Sequence, residues 1–230
     1  MLYIVPTPVG NLEDITLRAI RLLKTTHIII SEDTRHTRKL MKLLEIENKP
    51  KYIDFTRNHE FNLVPIEAAL KTILVAEEEE KEPIEILVVS DSGTPGISDP
   101  GIEIIRLAQD LGVNYTVLPG ATAFVPAVVA SGITGREFTF LGFLPVKKGR
   151  QTQWKEIVIS PYPVVFYESV HRIDKCVGEL KEYLEPTRKI SICREVTKMY
   201  ETIWIGTVST LEIDDIKQKG EFVIIVDKAK

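Results

Sequence analysis

Cysteine is scarce in this 230-residue sequence, and neither sign of charge is in large excess. The two cysteines, Cys176 and Cys193, have neither a metal-ligand nor a redox spacing, which predicts two buried thiols in a reducing compartment. Lys and Arg number 29 against 33 Asp and Glu, which gives a net charge of -4. A global positive field of the kind that attracts nucleic acids is therefore absent, and this counts against an RNA substrate.

Long hydrophobic runs are also missing. The most apolar stretch, residues 117–133, is interrupted by Pro119, Pro126 and Gly132, whereas a membrane-spanning helix needs about 20 predominantly apolar residues. The first residues, MLYIVP, contain no basic leader and reach a proline early, so we expect no secretory signal. These features predict a cytoplasmic protein with no membrane partner.

What is present is a regular alternation of short apolar runs and amphipathic segments of helical length. With 44% hydrophobic and 27% charged residues, the composition is that of a globular protein with one large or two small domains. The alternation is typical of βα units around a mostly parallel sheet. The predicted strands of the first half are 2–5, 27–30, 84–89 and 114–118, and the predicted helices are 16–24, 34–44, 61–76 and 102–111.

The second half changes character toward its end. Predicted elements there are helix 121–131, strand 138–143, helix 151–158, strand 164–167, helix 172–183, strands 189–194, 201–207 and 222–226, and one short helix, 211–217. Three strands with little helix between them favour antiparallel pairing. The sequence therefore predicts an α/β domain over residues 1–118 and a mixed α+β domain over residues 119–230.

The most informative motif is the segment 90–101, with the sequence SDSGTPGISDPG, between a predicted buried strand and a predicted helix. In open α/β sheets, ligands bind at this edge, where the strands end. Glycines let the backbone approach a ligand closely, and the Asp91 carboxylate can accept hydrogen bonds from hydroxyl or ammonium groups. The alternative is a rigid turn without a ligand, in which Ser98 or Asp99 simply caps the next helix.

The same segment contains the short aspartic-protease signature, DSGT, at residues 91–94. Such enzymes need a second carboxylate to share a proton, and they are all-β proteins. Here the motif follows a strand in an alternating α/β pattern, and no second copy is present. The sequence therefore disfavours a protease.

Two further segments also follow predicted strands and precede predicted helices. They are residues 6–12, PTPVGNL, and residues 118–123, LPGATA. The first segment is neither a dinucleotide glycine fingerprint nor a phosphate-binding loop. In the second segment, free amides at the start of the helix can meet an anion or a ribose, although many helices begin in this way without a ligand.

Together with residues 31–35, SEDTR, these three segments resemble the tetrapyrrole methylase superfamily. The segments 140–145, FLGFLP, 167–172, YESVHR, and 194–198, REVTK, resemble most closely its branch that methylates a cytidine 2'-hydroxyl in small-subunit (16S) ribosomal RNA. The motifs are long and extend over nearly the whole chain. One departure is that members of this branch often continue past the final strand, whereas this sequence ends at Lys230, so an accessory RNA contact is expected to be missing or supplied otherwise.

The resemblance implies an S-adenosyl-L-methionine-dependent methyltransferase that is a homodimer of two-domain chains, uses no metal and binds the cofactor between the domains. It also implies a 16S ribosomal RNA partner, within the small subunit, and no DNA partner. By position in the motifs, the cofactor would contact Pro8, Val9, Asp91, Gly93, Thr94, Ser98, Pro119, Gly120, Ala121, Thr122 and Ala123.

Methyl transfer to a hydroxyl also needs a group that removes the hydroxyl proton. The carboxylates Glu168, Glu32 and Glu195 are the preferred candidates, ahead of Asp33 and His171, and a locally bonded helix-start role is the alternative for His171. Two basic segments are the candidate phosphate contacts, with solvated surface as the alternative. They contribute Arg35 and Arg38, with Lys39 and Lys42 on the same helix, and Lys147, Lys148 and Arg150.

Other substrates and a non-enzymatic function stay open. Relatives in the same superfamily act on macrocycles or on protein side chains, and a shared fold does not distinguish them. The first loop lacks the glycine-rich form associated with the macrocycle enzymes. A binding module that senses S-adenosylmethionine without catalysis is the alternative from another class.

Overall fold

The computed structural model describes residues 1–55 and 62–229. The chain folds into two compact units, Met1–Thr122 and Ala123–Lys230. The boundary predicted after residue 118 lies just before this division. Met1–Thr122 is the first unit, and Ala123–Lys230 is the second unit.

The first unit is a five-stranded sheet with helices between the strands. The order β3-β2-β4-β1-β5 has parallel pairing at each neighbouring pair. Its strands are β1 Leu2–Ile4, β2 Ile28–Ser31, β3 Lys51–Asp54, β4 Ile86–Val89 and β5 Tyr115–Val117. Its helices are α1 Leu17–Thr25, α2 Thr34–Leu43, α3 Val64–Glu78 and α4 Gly101–Asp110.

The central strand β4 explains why this sheet forms. Its four residues, ILVV, are all buried, and successive side chains point to opposite faces of the sheet. Ile86 and Val88 join one apolar cluster, and Leu87 and Val89 join another. Helices cover both clusters, as expected for a parallel sheet with two buried faces. The predicted α/β class of the first domain is confirmed.

Two differences from the prediction concern this unit. Strand β3 was missed, because its residues KYID begin and end with a charge and only Ile53 is buried. The predicted helix 61–76 begins at Phe61, which lies outside the described residues, and the observed helix α3 begins at Val64 with Pro65 in its first turn. Proline is favoured in the first turn because N–H groups there have no acceptor within the helix, so the missing N–H of proline costs no hydrogen bond.

The second unit contains a mixed five-stranded sheet in the order β6-β7-β10-β8-β9. Only β6 and β7 pair in parallel, and the other three neighbouring pairs are antiparallel. Its strands are β6 Thr139–Phe143, β7 Val164–Ser169, β8 Lys189–Arg194, β9 Thr202–Thr207 and β10 Glu221–Val226. Its helices are α5 Phe124–Ser131, α6 Arg150–Ile159 and α7 Ile173–Tyr183. The mixed architecture predicted for this half is confirmed.

The helix predicted over 211–217 is wrong. Two short 3-10 turns, Val208–Thr210 and Ile213–Asp215, occupy this region. The buried side chains of Leu211 and Ile216 are five residues apart, a spacing that does not place both on one helical face. Both pack into the core of the second unit from an irregular segment.

Both cysteines are fully buried free thiols, as the sequence predicted. Burial raises the pKa of Cys176, which keeps the thiol protonated. Within residues 1–55 and 62–229, no group of three or more His, Cys, Asp or Glu side chains is arranged to hold a metal ion. No helix among those residues is long and apolar enough to cross a membrane.

Candidate functional site

The candidate site of the first unit lies where the parallel strands end. Residues 5–12 follow β1, residues 32–33 follow β2, residues 90–100 follow β4 and residues 118–122 follow β5. Because these strands are parallel neighbours, their carboxyl ends meet at one edge of the sheet. The four segments that carry the family resemblance therefore start at the same edge.

Backbone hydrogen bonds join the first of these loops to the third. Thr7 N–H donates to the carbonyl of Gly93 at 2.9 Å, and Gly93 N–H donates back to the carbonyl of Thr7 at 3.1 Å. The hydroxyl of Thr7 also donates to the carbonyl of Ser90. Gly93 has φ +85°, a conformation that other residues rarely adopt, and a Cβ there would contact Val9. The two loops thus form one rigid layer.

The third loop is also joined to the fourth. The Thr94 hydroxyl lies 3.0 Å from the carbonyl of Ala121, to which it donates, and 2.9 Å from the hydroxyl of Thr122. Gly120 packs against the ring of Pro6, with no room for a Cβ atom between them. These contacts bring together residues that lie far apart in the sequence.

Asp91 connects the third loop to the start of α2. Its Oδ1 accepts the backbone N–H of Asp33 at 3.2 Å, and its Oδ2 lies 3.0 Å from Nδ1 of His36. Burial raises the pKa of Asp91, while the His36 contact and the Asp33 N–H oppose this rise. The side chain keeps 33% exposure, so it can still accept hydrogen bonds from a ligand.

A second carboxylate, Glu32, lies beside Asp91. Burial and the negative charges of Asp91 and Asp99 raise the pKa of Glu32. Asp33 behaves in the opposite way, because hydrogen bonds from Arg35 lower its pKa to about 2. Carboxylates held close together in this way favour a cationic ligand.

Ser98 and Asp99 shape the end of the third loop. Asp99 Oδ1 accepts the backbone N–H groups of Gly96 and Gly101 at 2.8 and 2.7 Å, which stabilises the turn into α4. Ser98 has φ +66°, an unusual conformation for a residue with a Cβ atom. The N-cap residue of α4 is Pro100, so Asp99 bonds the first helical N–H from one position before the cap, and Ser98 is exposed on the same turn.

The structure therefore gathers most of the predicted cofactor residues at one edge of the first unit. Gly93 and Gly120 let the loops pack closely against Val9 and Pro6. Exposed backbone at residues 119–120 and two partly exposed carboxylates form a set that suits a cationic amino acid and a ribose. These residues are Pro8, Val9, Asp91, Gly93, Thr94, Ser98, Pro119, Gly120, Ala121 and Thr122. Ala123 is the first residue of the second unit.

In the second unit, Glu168 belongs to a buried network of ion pairs. Its carboxylate oxygens lie 3.0 Å from Nη2 of Arg150 and 2.7 Å from Nε of Arg172, and the Ser169 N–H also donates to it at 2.8 Å. Glu179 accepts three further bonds from Arg150. A fully buried carboxylate whose oxygens are held by two guanidinium groups and a backbone N–H is not accessible to a substrate hydroxyl.

This network corrects one predicted RNA contact. Arg150 is only 2% exposed, and its guanidinium also donates to the carbonyl of Pro145. Burial lowers the pKa of Arg150, but hydrogen bonds to Glu179 and Glu168 outweigh it and raise the pKa overall. The sequence placed Arg150 in an exposed basic loop, whereas it begins α6 and faces inward, so it cannot reach a phosphate.

The third predicted carboxylate, Glu195, is held in a turn at φ +54°. Its Oε1 accepts Lys198 Nζ and the Glu221 N–H, both at 3.0 Å. Burial raises the pKa of Glu195, but the hydrogen bonds from Lys198 and Glu221 lower it by more. His171 lies exposed in the turn before α7.

The remaining basic candidates lie on the surface. Arg35 is 89% exposed while paired with Asp33. The guanidinium of Arg38 lies 3.9 Å from the ring centroid of Tyr52, a cation–π contact. Lys147 and Lys148 are exposed beside a cavity of about 730 Å³ that α6 and α7 border.

Sequence reasoning missed His36. The residue directly follows the segment 31–35, and the pattern of basic residues along α2 suggested a solvated or phosphate-binding face. Only the fold brings this imidazole next to Asp91, whose sequence number differs by 55. No local signal in the sequence indicates that pairing.

Comparison with known proteins places the chain in a family. The family model of Tetrapyrrole (Corrin/Porphyrin) Methylases matches residues 1–212. A Xylella fastidiosa protein named Ribosomal RNA small subunit methyltransferase I is 38% identical over 99% of this chain and 81% of its own length. A Haemophilus influenzae protein of the same name is 40% identical over 99% of this chain and 78% of its own.

Solved structures show the same fold at lower identity. The methyltransferase CobJ has a TM-score of 0.66 at 20% identity, over 99% of this chain and 94% of its own. Uroporphyrin-III C-methyl transferase from Thermus thermophilus, complexed with S-adenyl homocysteine, has a TM-score of 0.59 at 17% identity, over 98% of this chain and 96% of its own. The match to the family model and the sequence identity to relatives agree with the family resemblance that the strand-end loops carry. The chain belongs to the tetrapyrrole methylase family.

Proposed function

We propose that the protein is an S-adenosyl-L-methionine-dependent methyltransferase that methylates the 2'-hydroxyl of a cytidine in small-subunit (16S) ribosomal RNA. The observation that carries this proposal is the identity of 38 to 40% over 99% of the chain to proteins named for methylation of small-subunit ribosomal RNA. The structural neighbours named for uroporphyrin or cobalamin enzymes are only 17 to 19% identical, so they support the fold alone.

The strand-end loops of the first unit are the proposed cofactor site. Asp91 and Glu32 supply negative charge for the cationic donor, and Gly93 and Gly120 allow the close packing of the loops that form the site. When bound, the cofactor supplies a methyl group on a sulfonium, which makes that methyl electrophilic. The expected position of the cofactor between the two domains stays a prediction.

The protein must then align the acceptor and manage one proton. Bonds between the first, third and fourth loops hold the site rigid, which reduces the entropy lost when donor and acceptor are aligned. Of the three predicted carboxylate bases, Glu168 and Glu195 are engaged by Arg150, Arg172 and Lys198. Glu32 has a raised pKa and lies beside Asp91, so it fits an electrostatic role toward the cation.

RNA contact is proposed through local basic patches, because the net charge of -4 excludes a general positive surface. Lys147 and Lys148 project from the second unit, and Arg35 and Arg38 from the first. Such patches suit an RNA presented on a folded ribosomal particle. We also propose that the protein acts in the cytoplasm as a homodimer.

The test uses purified protein, tritiated S-adenosylmethionine and small ribosomal subunits that lack the modification. After digestion, the labelled nucleoside is identified by chromatography against 2'-O-methylcytidine. Asp91→Asn is the site variant, and Asp110→Asn, at the exposed end of α4, is the matched control. We expect label in 2'-O-methylcytidine with the wild type and the control, and little or none with Asp91→Asn.

Other outcomes separate the alternatives. Transfer of label to uroporphyrinogen or to a protein, with unlabelled RNA, would assign another substrate in the same family. Cofactor binding without any labelled product would favour a sensor of S-adenosylmethionine. Label in a nucleoside other than 2'-O-methylcytidine would refute the proposed position of the methyl group.

A further inference from the structure

A small cavity adjoins the cofactor loops of the first unit. Its volume is about 240 Å³, below the roughly 300–1,000 Å³ typical of sites for drug-sized ligands, so it suits one ring system of a larger substrate. Leu12, Leu40 and Leu43 form an apolar wall, and His36 and Lys39 add polar groups. Leu12 and Leu43 are 37% and 54% exposed, which leaves apolar surface for a ligand to cover.

The imidazole of His36 is oriented within this cavity. Nδ1 lies 3.0 Å from Asp91 Oδ2 and 3.6 Å from Asp33 Oδ2. A carboxylate can only accept, so the neutral ring carries its proton on Nδ1 and leaves the lone pair on Nε2 free. Asp33 is also bound by Arg35, which leaves Asp91 as the main partner of the ring. With 62% exposure, the His36 side chain is accessible to a substrate.

We propose that this cavity receives the target nucleoside, and that His36, oriented by Asp91, accepts the proton of its 2'-hydroxyl. The proposal rests on the proposed function and identifies the proton acceptor for that reaction. A nucleoside turned out of its stack offers a flat face to the leucines, and Lys39 can contact an adjoining phosphate. The arrangement of carboxylate, imidazole and hydroxyl is one that proteins use to activate a hydroxyl group.

The 2'-oxygen forms a bond to the methyl carbon while the carbon–sulfur bond breaks, and the electron pair of that bond stays on sulfur. The hydroxyl proton passes to Nε2 of His36. The imidazolium, stabilised by Asp91, then releases the proton to water. The products are the methylated ribose and a neutral thioether.

Within the part of the chain that the structure describes, three segments contribute the charged groups that face His36. Glu32 and Asp33 belong to the segment after β2, Asp91 belongs to the segment after β4, and Lys39 lies on the same helix. The part of the cavity wall that residues 7–12 contribute is uncharged. The three carboxylates are opposite in sign to the charge that the ring gains when it accepts the hydroxyl proton.

The test is single-turnover methylation of small subunits by the full chain at saturating cofactor, from pH 5.5 to 9. His36→Asn keeps a donor to Asp91 but lacks the Nε2 acceptor. His27→Asn is the matched control, because His27 lies directly before β2, at the end of the strand away from the site. For His36→Asn we expect a rate about 100-fold or more below wild type. We also expect an unchanged cofactor Kd by calorimetry and loss of the rise in rate with pH.

Chemical rescue is the second measurement. Added imidazole should restore part of the rate of His36→Ala, in proportion to its unprotonated form. Wild-type rates in His36→Asn would overturn the proposal, as would a rate loss fully explained by weaker cofactor binding, or a reduced rate that keeps its pH dependence without rescue. Absence of methylated cytidine with the wild-type protein would instead overturn the proposed function, and with it this assignment.

Discussion

Gly120 lies directly against the ring of Pro6, so closely that a Cβ atom on Gly120 would overlap the proline. This contact joins the loop after β5 to the loop after β1 at the proposed cofactor site. A side chain at residue 120 would have to push one of the two loops away from its observed place. A change at residue 120 is therefore expected to affect both the packing of these loops and the proposed cofactor site.

Gly120→Ala is expected to separate these loops. We predict a loss of about 1–3 kcal/mol in the free energy of unfolding, the usual cost of overpacking, together with weaker cofactor binding. Urea unfolding and calorimetry measure the two effects. Gly178→Ala is the control, because a Cβ there contacts nothing within 4 Å and Gly178 lies within α7. It should stabilise the protein by about 0.5–1 kcal/mol and leave cofactor binding unchanged.

Arg150 is predicted to be structural rather than RNA-binding. Arg150→Met leaves Glu168 and Glu179 without one of their cations in a buried setting, so we expect a loss of about 3–5 kcal/mol in urea unfolding. Arg106→Met, which removes an exposed pair with Glu103, should cost less than about 1 kcal/mol. Equal small losses in the two variants would show that the buried network contributes little.

Glu32 is expected to reduce the stability of the cofactor-free protein at neutral pH. Its pKa is raised in the fold, so the folded state binds more protons than the unfolded state between the two pKa values, and stability falls as pH rises through that window. Glu32→Gln removes this charge. We predict a higher Tm than wild type at pH 7 and a difference that shrinks toward pH 4, by scanning calorimetry. A variant that is less stable at pH 7 would contradict the sign.

Lys147 and Lys148 are the exposed basic residues of the second unit that we expect to contact phosphate. Each phosphate contact contributes about 0.7–0.9 to the slope of log affinity against log salt concentration. Replacement of both lysines by alanine should therefore lower that slope by about 1.4–1.8 for small subunits across a potassium chloride series. Lys24→Ala with Lys71→Ala, on exposed helix positions of the first unit, is the matched control. An unchanged slope in the site variant would place the RNA elsewhere.

Much of the fold was predictable because its signals are local. The run ILVV of β4 and the capped start of α1 at Thr16 are written in short stretches of sequence. Strand β3 was not predictable, because its short charged sequence is held by pairing with β2 rather than by its own pattern. The irregular segment around Leu211 depends likewise on burial against distant residues.

The candidate site also contains features that the sequence predicted and features that it did not. The loops at the ends of β1, β4 and β5 were found from their glycines, prolines and position, since strand ends share one edge in a parallel sheet. Side-chain partners were not found, because they depend on packing between distant segments. The sequence predicts Arg150 in a surface loop, but its side chain is buried against Glu179. The sequence predicts His36 on a basic helix face, but its side chain pairs with Asp91.

The most direct test of the cofactor site is calorimetric titration of S-adenosylmethionine into the wild-type protein, Asp91→Asn and the control Asp110→Asn. We predict one site per chain in the wild type and the control, and an affinity at least about tenfold weaker in Asp91→Asn, a difference of about 1.4 kcal/mol. Unchanged affinity in Asp91→Asn would contradict the assignment of the cofactor to the strand-end loops of the first unit.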